Sequence, residues 1–497
     1  MKGTWRRLVA MLLCLSLSLT MLPAQAAASP SDEPDGGYET LEPDGSGTPE
    51  DGDSVGPEAD APEDEEIAEA GEETGSPQAE GAEKTASPQV DGETTYPITG
   101  NCGLTNAADL NWSLGADGTL TISGTGEMKD YKNIRDGSGS TDAPWWTYAG
   151  QILKVVVADG VSTIGEYAFG RLPNLTAAEI PASVTVISTG AFLVASAMKD
   201  ITITDGETPL TIENSAFSSC SSLETVSLPG RVVSIGRTFA ECTALTSVTL
   251  PETVMTGHTF SLSNGTFYNC TNLQTINLPE GTKSIPEGVF NGCTSLKELA
   301  IPASVTSITD RAFKNLNLES VTFKGTGITN IPLEAFYNCT KLASVNIPEG
   351  VTRIGQDAFR SCSSLSTVTW PSTLVSIGKE AFRGCAALSS VVLPDSRENF
   401  SIEEGAFQSC KKLTSIKIPA GTTSIPTSAF FGCTALETVQ IPDSVTSIGS
   451  YAFKMTPNQE TGVFGKLAEI TLPDSVQSIG NSAFSGTAIT SLTLPKG

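Results

Sequence analysis

Histidine is almost absent from this sequence. The 497 residues include one, His258, in the stretch MTGHTFSLSNGTF. A catalytic histidine needs a nucleophile or an acid beside it, and no such partner stands at a recognisable spacing. Any catalytic site would have to lie in residues 96–150, where Asp109, Asp117 and Glu127 show no pairing pattern. We therefore expect His258 to be a surface loop residue and the chain not to be an enzyme.

Basic residues are also scarce. Lysine and arginine number 29 against 56 aspartates and glutamates, which gives a formal net charge of −27. A protein that binds nucleic acid carries a basic patch or stripe for the phosphates, and none is found in so acidic a chain. Nucleic-acid binding is therefore not expected.

The N-terminal apolar run is too short to cross a membrane as a stable helix. It extends from Leu8 to Leu22, follows three basic residues and ends before the small residues at 24–26. This order is typical of a secretory signal peptide, which we assign to residues 1–28. The mature protein is therefore expected to be extracellular or at the cell surface, with no transmembrane segment in this chain.

Residues 29–95 have almost no basic side chains and little apolar surface. Between 31 and 100 there are 22 acidic residues and one basic residue, Lys84. A segment rich in Pro, Gly, Ala and Ser with this charge cannot bury enough apolar surface to order itself. We predict a disordered, acidic linker.

A recurring phenylalanine, usually preceded by alanine, organises the remaining chain. Eight of its thirteen intervals are 23 residues long. A constant period of this length is typical of a solenoid, whose units are too small to bury their own apolar faces and stack on their neighbours. The fourteen positions are Phe169, Phe192, Phe217, Phe239, Phe267, Phe290, Phe313, Phe336, Phe359, Phe382, Phe407, Phe430, Phe453 and Phe484.

One repeat unit shows what the other units share. Leu388, Val391 and Leu393 predict a strand that is buried on one face, and Pro394 ends it because proline has no N–H for a sheet. The Ala-Phe-x-x-Cys step at 381–385 predicts a single helical turn with its apolar side chains facing inward. Each unit is therefore expected to consist of a strand, a corner, a helical turn and a return.

The strands of successive units run in one direction and should pair in parallel. Fifteen are expected, from Ile152–Val157 to Ile489–Leu494. Ten of the fifteen side chains on their outer face are uncharged and polar, and such side chains suit hydrogen bonding to a protein or a glycan. The alternative is that this face is only solvated and that threonine is present there for its strand propensity. No aromatic platform for sugars lies among them, so a protein partner is favoured. The candidate binding residues are Thr249, Asn277, Thr322, Asn346, Thr369, Lys417 and Gln440.

Nine of the eleven cysteines follow a repeat phenylalanine by three residues. Their period places them in a column with a spacing wider than a disulfide prefers, so buried free thiols are expected and disulfides are the alternative. The nine are Cys220, Cys242, Cys270, Cys293, Cys339, Cys362, Cys385, Cys410 and Cys433.

Metal ligands are few. No repeat supplies a second ligand beside its cysteine, and the chain has one histidine. The stretch Asp51-Gly52-Asp53 suggests a calcium site, but Val55 and Pro62 stand where EF-hand spacing needs ligands. We expect no metal and no cofactor.

The pattern C-x-x-L-x-x-V-x-I-P-x-x-V-x-x-I-G-x-x-A-F resembles the 23-residue leucine-rich repeat of BspA-like bacterial surface proteins, which is related to the treponemal type. The resemblance covers residues 152–497. It implies a horseshoe or superhelix with a parallel β-sheet on one face and short helical turns and loops on the other. It also implies an extracellular binding or adhesion protein.

Four segments and two classes of function follow. The segments are a signal peptide at 1–28, a disordered acidic linker at 29–95, a β-rich N-terminal lead-in or cap at 96–150, and a leucine-rich repeat array at 151–497 with about 14 repeats. The array stops midway through a repeat, which suggests a fragment. The expected function is protein–protein interaction or adhesion to host matrix or other bacterial cells. The alternative is a structural cell-envelope protein or a glycan-binding module.

Overall fold

The structure, a computed structural model, describes residues 95–132, 141–252, 254–395, 399–456 and 464–495. All of them belong to one structural unit, Pro88–Gly497. The predicted signal peptide, the linker up to residue 94 and the Asp51-Gly52-Asp53 stretch lie outside the described residues.

The repeats form a parallel β-solenoid of about 13 turns with almost no helix, which confirms the predicted solenoid and its parallel sheet. Thirteen of the fifteen expected strands are present, and the described residues 464–495 form neither of the last two. We call this row of strands the first ladder. It consists of Lys154–Val157, Ala177–Ile180, Asp200–Ile203, Thr225–Ser227, Ser247–Thr249, Thr275–Ile276, Glu298–Ile301, Ser320–Phe323, Ser344–Asn346, Thr367–Thr369, Ser390–Val391, Ser415–Lys417 and Thr438–Gln440.

A second parallel ladder runs beside the first, at positions where the sequence indicated only a bend. Most of its strands are two residues long, with an outward polar residue followed by an inward isoleucine. Its strands are Gly126–Glu127, Val161–Ile164, Val186–Ile187, Leu210–Ile212, Val232–Ile235, Ser261–Leu262, Ser284–Ile285, Ser307–Ile308, Asn330–Ile331, Arg353–Ile354, Ser376–Ile377, Ser401–Ile402, Ser424–Ile425, Ser447–Ile448 and Ser478–Ile479. Each repeat therefore contributes to two sheets.

The Ala-Phe-x-x-Cys step is a run of tight turns, so the predicted helical turn is wrong. The Cys385 N–H donates to the Phe382 carbonyl in the same turn (3.1 Å), whereas the Phe382 N–H donates to the Ala406 carbonyl of the next repeat (2.8 Å). Glu380 has a left-handed backbone, with φ of 52°. It turns the chain so that N–H groups of this step point toward the next repeat. Ala381, Phe382 and Cys385 are fully buried as predicted.

The repeat phenylalanines form a column of rings through the solenoid. Neighbouring ring centroids lie 4.9 to 5.9 Å apart in every pair that is in contact. Trp145 begins the column, because its ring stacks on Phe169 at 5.4 Å and its Nε1–H donates to the Ala168 carbonyl (2.9 Å). Stacked aromatic pairs add about 0.5 to 1.5 kcal/mol each beyond the area that they bury.

The nine repeat cysteines are free and buried, which confirms the thiol prediction. Each S–H donates to the carbonyl oxygen of the phenylalanine in the preceding repeat, at 3.1 to 3.5 Å between sulfur and oxygen. In eight of the nine cases, all except that of Phe313, the same oxygen also accepts the N–H three residues further along its own repeat. The cysteines therefore satisfy a buried carbonyl between repeats as well as filling space.

We expect these thiols to make the fold sensitive to alkali. Burial raises the pKa of Cys339 and Cys433 from 9.0 to about 12. Above pH 9 the unfolded chain loses thiol protons that the folded chain retains, so stability is full below pH 9 and falls between pH 9 and 12. The loss should be about 1.4 kcal/mol per pH unit for each thiol exposed on unfolding.

Urea denaturation at pH 8 and pH 10 measures this loss. The double variant Cys339→Ala, Cys433→Ala is the control and should lose less stability between the two pH values than the parent chain. An identical pH dependence in the parent and the variant would contradict the assignment to these thiols.

Ring stacking and the phenylalanine N–H bond are both absent at one boundary between described repeats, which we call the open boundary. It lies between the repeat that carries Phe290 and the repeat that carries Phe313. Every other repeat phenylalanine from Phe169 to Phe453 donates its N–H to the next repeat, whereas in the described structure the Phe290 N–H does not. Leu316 replaces the cysteine whose S–H would reach the Phe290 carbonyl.

The first ladder is also interrupted at the open boundary. No hydrogen bond joins Thr275–Ile276 to Glu298–Ile301 among the described residues. The second ladder continues across it, because Ser284–Ile285 pairs with Ser307–Ile308. The first ladder breaks at two further places, after Ile203 and after Thr369, but ring stacking and the phenylalanine N–H bonds continue there.

Amide hydrogen exchange should reveal the open boundary. We expect the Phe290 amide to exchange about tenfold faster than the Phe267 and Phe336 amides, which are bonded to the next repeat. Mass spectrometry with fragmentation to single residues measures the three rates in one sample. Equal protection of the three amides would show that the boundary is closed in solution.

An antiparallel unit lies at the N-terminal end of the described array. Ile98–Asn101 pairs with Leu110–Leu114, which pairs with Thr119–Gly124. Thr119–Gly124 then pairs in parallel with Lys154–Val157 and so continues the first ladder. Two short 3₁₀ helices, Ala107–Asp109 and Trp146–Gln151, connect these strands. Within the described ranges, no helix is long and apolar enough to span a membrane.

Candidate binding surface

The seven predicted binding residues lie exposed on the outer face of the first ladder, in a strand or directly after one. Asn346 shows why they point outward: it stands between Val345 and Ile347, which are both buried in the core. Alternation along a strand sends successive side chains to opposite faces. The structure therefore brings the seven onto one face, and their role in binding stays a prediction.

Two of the seven side chains already have partners in the chain. Asn277 Oδ1 accepts the Leu250 N–H (3.1 Å), and its Nδ2–H donates to the Leu250 carbonyl (3.0 Å). The Asn277 side chain thus makes the two bonds to Leu250 that the backbone of a neighbouring strand would make, and it is less available to a ligand. Lys417 Nζ contacts both oxygens of Asp395 at 2.6 and 2.7 Å, but both side chains are more than half exposed. Exposed ion pairs are weak, so Lys417 remains available.

A groove of about 810 Å³ opens on this face at the open boundary. One wall is Gln274–Ile276 and the other is Lys297–Ala300, with Glu319 and Thr322 beyond it. This volume lies in the range of about 300 to 1,000 Å³ that ligand sites occupy. Of the seven predicted residues, Thr322 lines the groove. No pattern in the sequence indicated the two walls.

The groove is polar and carries both signs of charge. Lys297 Nζ lies 3.2 Å from Glu319 Oε1, with both side chains more than half exposed. Glu298 is exposed on the same wall and has no ion-pair partner among the described residues. The groove therefore presents one excess negative charge.

A smaller hollow of about 210 Å³ lies further along the same face, beside Lys417 and Gln440. Val392 lines it and is 76% exposed. At this hollow the face therefore presents an exposed apolar side chain beside the Lys417–Asp395 ion pair.

The other residues considered for chemistry have structural surroundings. His258 is exposed in a turn, which confirms its prediction as a surface loop residue. Asp117 accepts the N–H and the hydroxyl of Thr119 at 3.0 and 2.9 Å, and these bonds lower the pKa of its carboxyl. In the part of the chain that the structure describes, no three His, Cys, Asp or Glu side chains are grouped to hold a metal ion.

One protein family matches the repeat array. Its model, described as a BspA type leucine-rich repeat region, matches in six copies, and the matched stretches are residues 146–264, 211–343, 260–389, 329–460 and 464–497. Together these matches cover more than half of the chain. No curated protein sequence matches it.

Similar solved structures include leucine-rich repeat proteins of three bacteria. That of Bacteroides ovatus ATCC 8483 is 27% identical over 69% of this chain and 89% of that chain, with a TM-score of 0.48. A leucine-rich cell surface protein of Faecalibacterium prausnitzii A2-165 is 28% identical over 78% and 98%, with a TM-score of 0.38. That of Eubacterium ventriosum ATCC 27560 is 24% identical over 81% and 99%, with a TM-score of 0.40.

Proposed function

The chain belongs to the family of BspA-type leucine-rich repeat proteins, and from this premise we propose that it is a secreted or cell-surface protein that mediates protein–protein interaction or adhesion. Leucine-rich repeat proteins generally bind proteins. The partner would be a protein on host matrix or on another bacterial cell. Residues 1–28 would direct export, residues 29–95 would act as a spacer, and residues 96–150 would cap the array at 151–497.

The observation that carries this proposal is the outer face of the first ladder. Ten of its thirteen strands place a polar or charged side chain on this face, between the two inward positions of the strand. A partner that follows several strands can exceed the roughly 800 Å² per side of an ordinary interface by adding many weak contacts. The seven candidate residues include no aromatic side chain, so sugar stacking is not supported, and a protein partner fits better than a glycan.

Catalysis is not part of the proposal. The repeat family is typically non-enzymatic. The functional surface is therefore expected to bind its partner without changing it chemically.

Retention of the full chain on defined surfaces tests the proposed function. Purified collagen, laminin and fibronectin, and intact cells of other bacteria, serve as the immobilised probes. We expect saturable retention on at least one of them. Retention on the cell wall of the producing bacterium alone would favour a structural envelope protein and overturn the adhesion proposal.

A further inference from the structure

We propose that the open boundary is a hinge, at which the repeats up to Phe290 and the repeats from Phe313 onward rotate relative to each other about the second ladder. The rotation changes the curvature of the outer face of the first ladder and the width of the groove. The inference goes beyond the proposed function, because it concerns the free chain and requires no partner.

The turns of the two repeats share no backbone bond at this boundary. At the next boundary, between the repeats of Phe313 and Phe336, three N–H groups of the turn donate to carbonyls of the following repeat at 2.8 to 2.9 Å. Among the described residues, the corresponding N–H groups of Gly288, Phe290 and Gly292 donate to no carbonyl of the following repeat. The bonds that fix the angle between neighbouring turns are therefore missing here.

The first ladder lacks bonds at the same boundary, on another side of the solenoid. The strands Thr275–Ile276 and Glu298–Ile301 lie close together, but no hydrogen bond joins them among the described residues. Where the first ladder is interrupted after Thr369, the turns remain bonded, because the Phe382 N–H donates to the Ala406 carbonyl at 2.8 Å. Within the described ranges, only the open boundary lacks backbone bonds both in the turns and in the first ladder.

The second ladder remains bonded and supplies the axis of the hinge. Ser284–Ile285 pairs there with Ser307–Ile308. The Thr306 N–H donates to the Lys283 carbonyl at 3.0 Å. The Thr309 N–H donates to the Ile285 carbonyl, also at 3.0 Å. Two bodies that are bonded along one side and unbonded along the others can rotate about the bonded side, as in hinge motions between domains.

The core at the open boundary does not fix the angle between the two repeats. Phe290, Phe313 and Leu316 are fully buried there, so the boundary excludes water. The two rings are not in contact, whereas Phe267 stacks on Phe290 and Phe313 stacks on Phe336. Apolar contacts have no preferred direction, so a small rotation costs them less than it costs hydrogen bonds, which depend on angle.

Two polar side-chain contacts cross the boundary away from the second ladder in the part of the chain that the structure describes. Arg311 Nη1 lies 3.7 Å from Glu287 Oε1, and both side chains are more than a third exposed. Asn317 Nδ2 donates to the Thr294 carbonyl at 2.9 Å. Exposed contacts of this kind are weak and break and re-form easily, so they permit a small rotation and oppose a wide opening.

Double electron–electron resonance between pairs of nitroxide labels on the full chain measures the rotation. Attachment of the labels to p-acetylphenylalanine leaves the buried thiols unmodified. The first pair, at the exposed positions Ser227 and Asn346, spans the open boundary on the first ladder over five strand spacings, or roughly 24 Å. We expect its distance distribution to be about twice as broad as that of the control pair.

The control pair lies at Thr322 and Gln440, which are also exposed and five strand spacings apart on the first ladder. It spans the interruption after Thr369, where the turns stay bonded. A third pair, at the exposed positions Ser261 and Arg353, spans the open boundary on the second ladder. Because this pair lies beside the axis, its distribution should be as narrow as that of the control.

A first pair that is as narrow as the control would overturn the hinge. A third pair as broad as the first would also overturn it, because a general loosening of the boundary broadens both faces, whereas a rotation about the second ladder broadens one. The labels are read without a partner, so the result is separate from retention on matrix proteins or cells. A chain that is rigid at the open boundary and still adheres keeps the proposed function and loses this inference.

Discussion

Replacement of Phe382 by alanine is expected to lower the free energy of unfolding by about 3 to 5 kcal/mol. The Phe382 ring is fully buried and stacks on Phe359 at 5.2 Å and on Phe407 at 5.5 Å. The edge of Trp370 contacts it at 5.1 Å. Its loss would leave a cavity that two neighbouring repeats cannot fill, because the backbone bonds on each side hold them in place.

Urea unfolding followed by circular dichroism measures this change. Phe464→Ala is the control, since Phe464 is 54% exposed and its loss should change stability by less than about 0.5 kcal/mol. Stability in a solenoid is summed over neighbours, so faster hydrogen exchange should be concentrated in the repeats around residue 382. An unchanged unfolding curve for Phe382→Ala would show that the ring column does not support the fold.

The second large effect concerns binding to the protein partner. Changing Asn346, Thr369 and Lys417 together to tryptophan should weaken retention by about 100-fold, or about 2.7 kcal/mol. Each single change to alanine should cost little, because the affinity is spread over many polar contacts and lacks the Trp, Tyr or Arg anchors of a hot spot. Retention on the matrix protein or cell surface identified for the parent chain measures the loss.

A triple variant on the second ladder is the control for this experiment. Ser307, Ser401 and Ser424 are exposed there, each directly before an inward isoleucine. Their replacement by tryptophan adds the same bulk to a different face and should leave retention unchanged. If the second-ladder variant loses binding and the first-ladder variant keeps it, the binding surface has been assigned to the wrong face.

The sequence predicted the parts of the fold that repeat. The solenoid, the column of buried thiols and the first ladder each follow from one residue type at a constant interval, because identical neighbours impose identical packing. The second ladder was missed because two-residue strands such as Ser376–Ile377 are too short to show alternation. The turns were predicted as helical because a spacing of three, as in Phe382 and Cys385, brings side chains to one face in both structures.

Features that depend on differences between repeats could not be predicted in this way. Arg231 is fully buried, and its guanidinium donates to the carbonyls of Thr204 at 2.8 Å, Val184 at 2.6 Å and Pro181 at 3.1 Å. These partners lie 27 to 50 residues away, and a single arginine gives no sign of them in the sequence. The groove is similar, since it lies at a boundary whose missing contacts appear only when two repeats are stacked.

The uniform contacts between repeats also affect how such a chain can change its length. Each ring, each thiol bond and each phenylalanine N–H bond joins a repeat to its immediate neighbours with the same geometry at almost every step. A gene duplication or deletion of one whole 23-residue unit would therefore join two surfaces that already fit. An insertion of any other size would have to leave the solenoid as a loop, so the array can grow or shrink in whole repeats while its core stays the same.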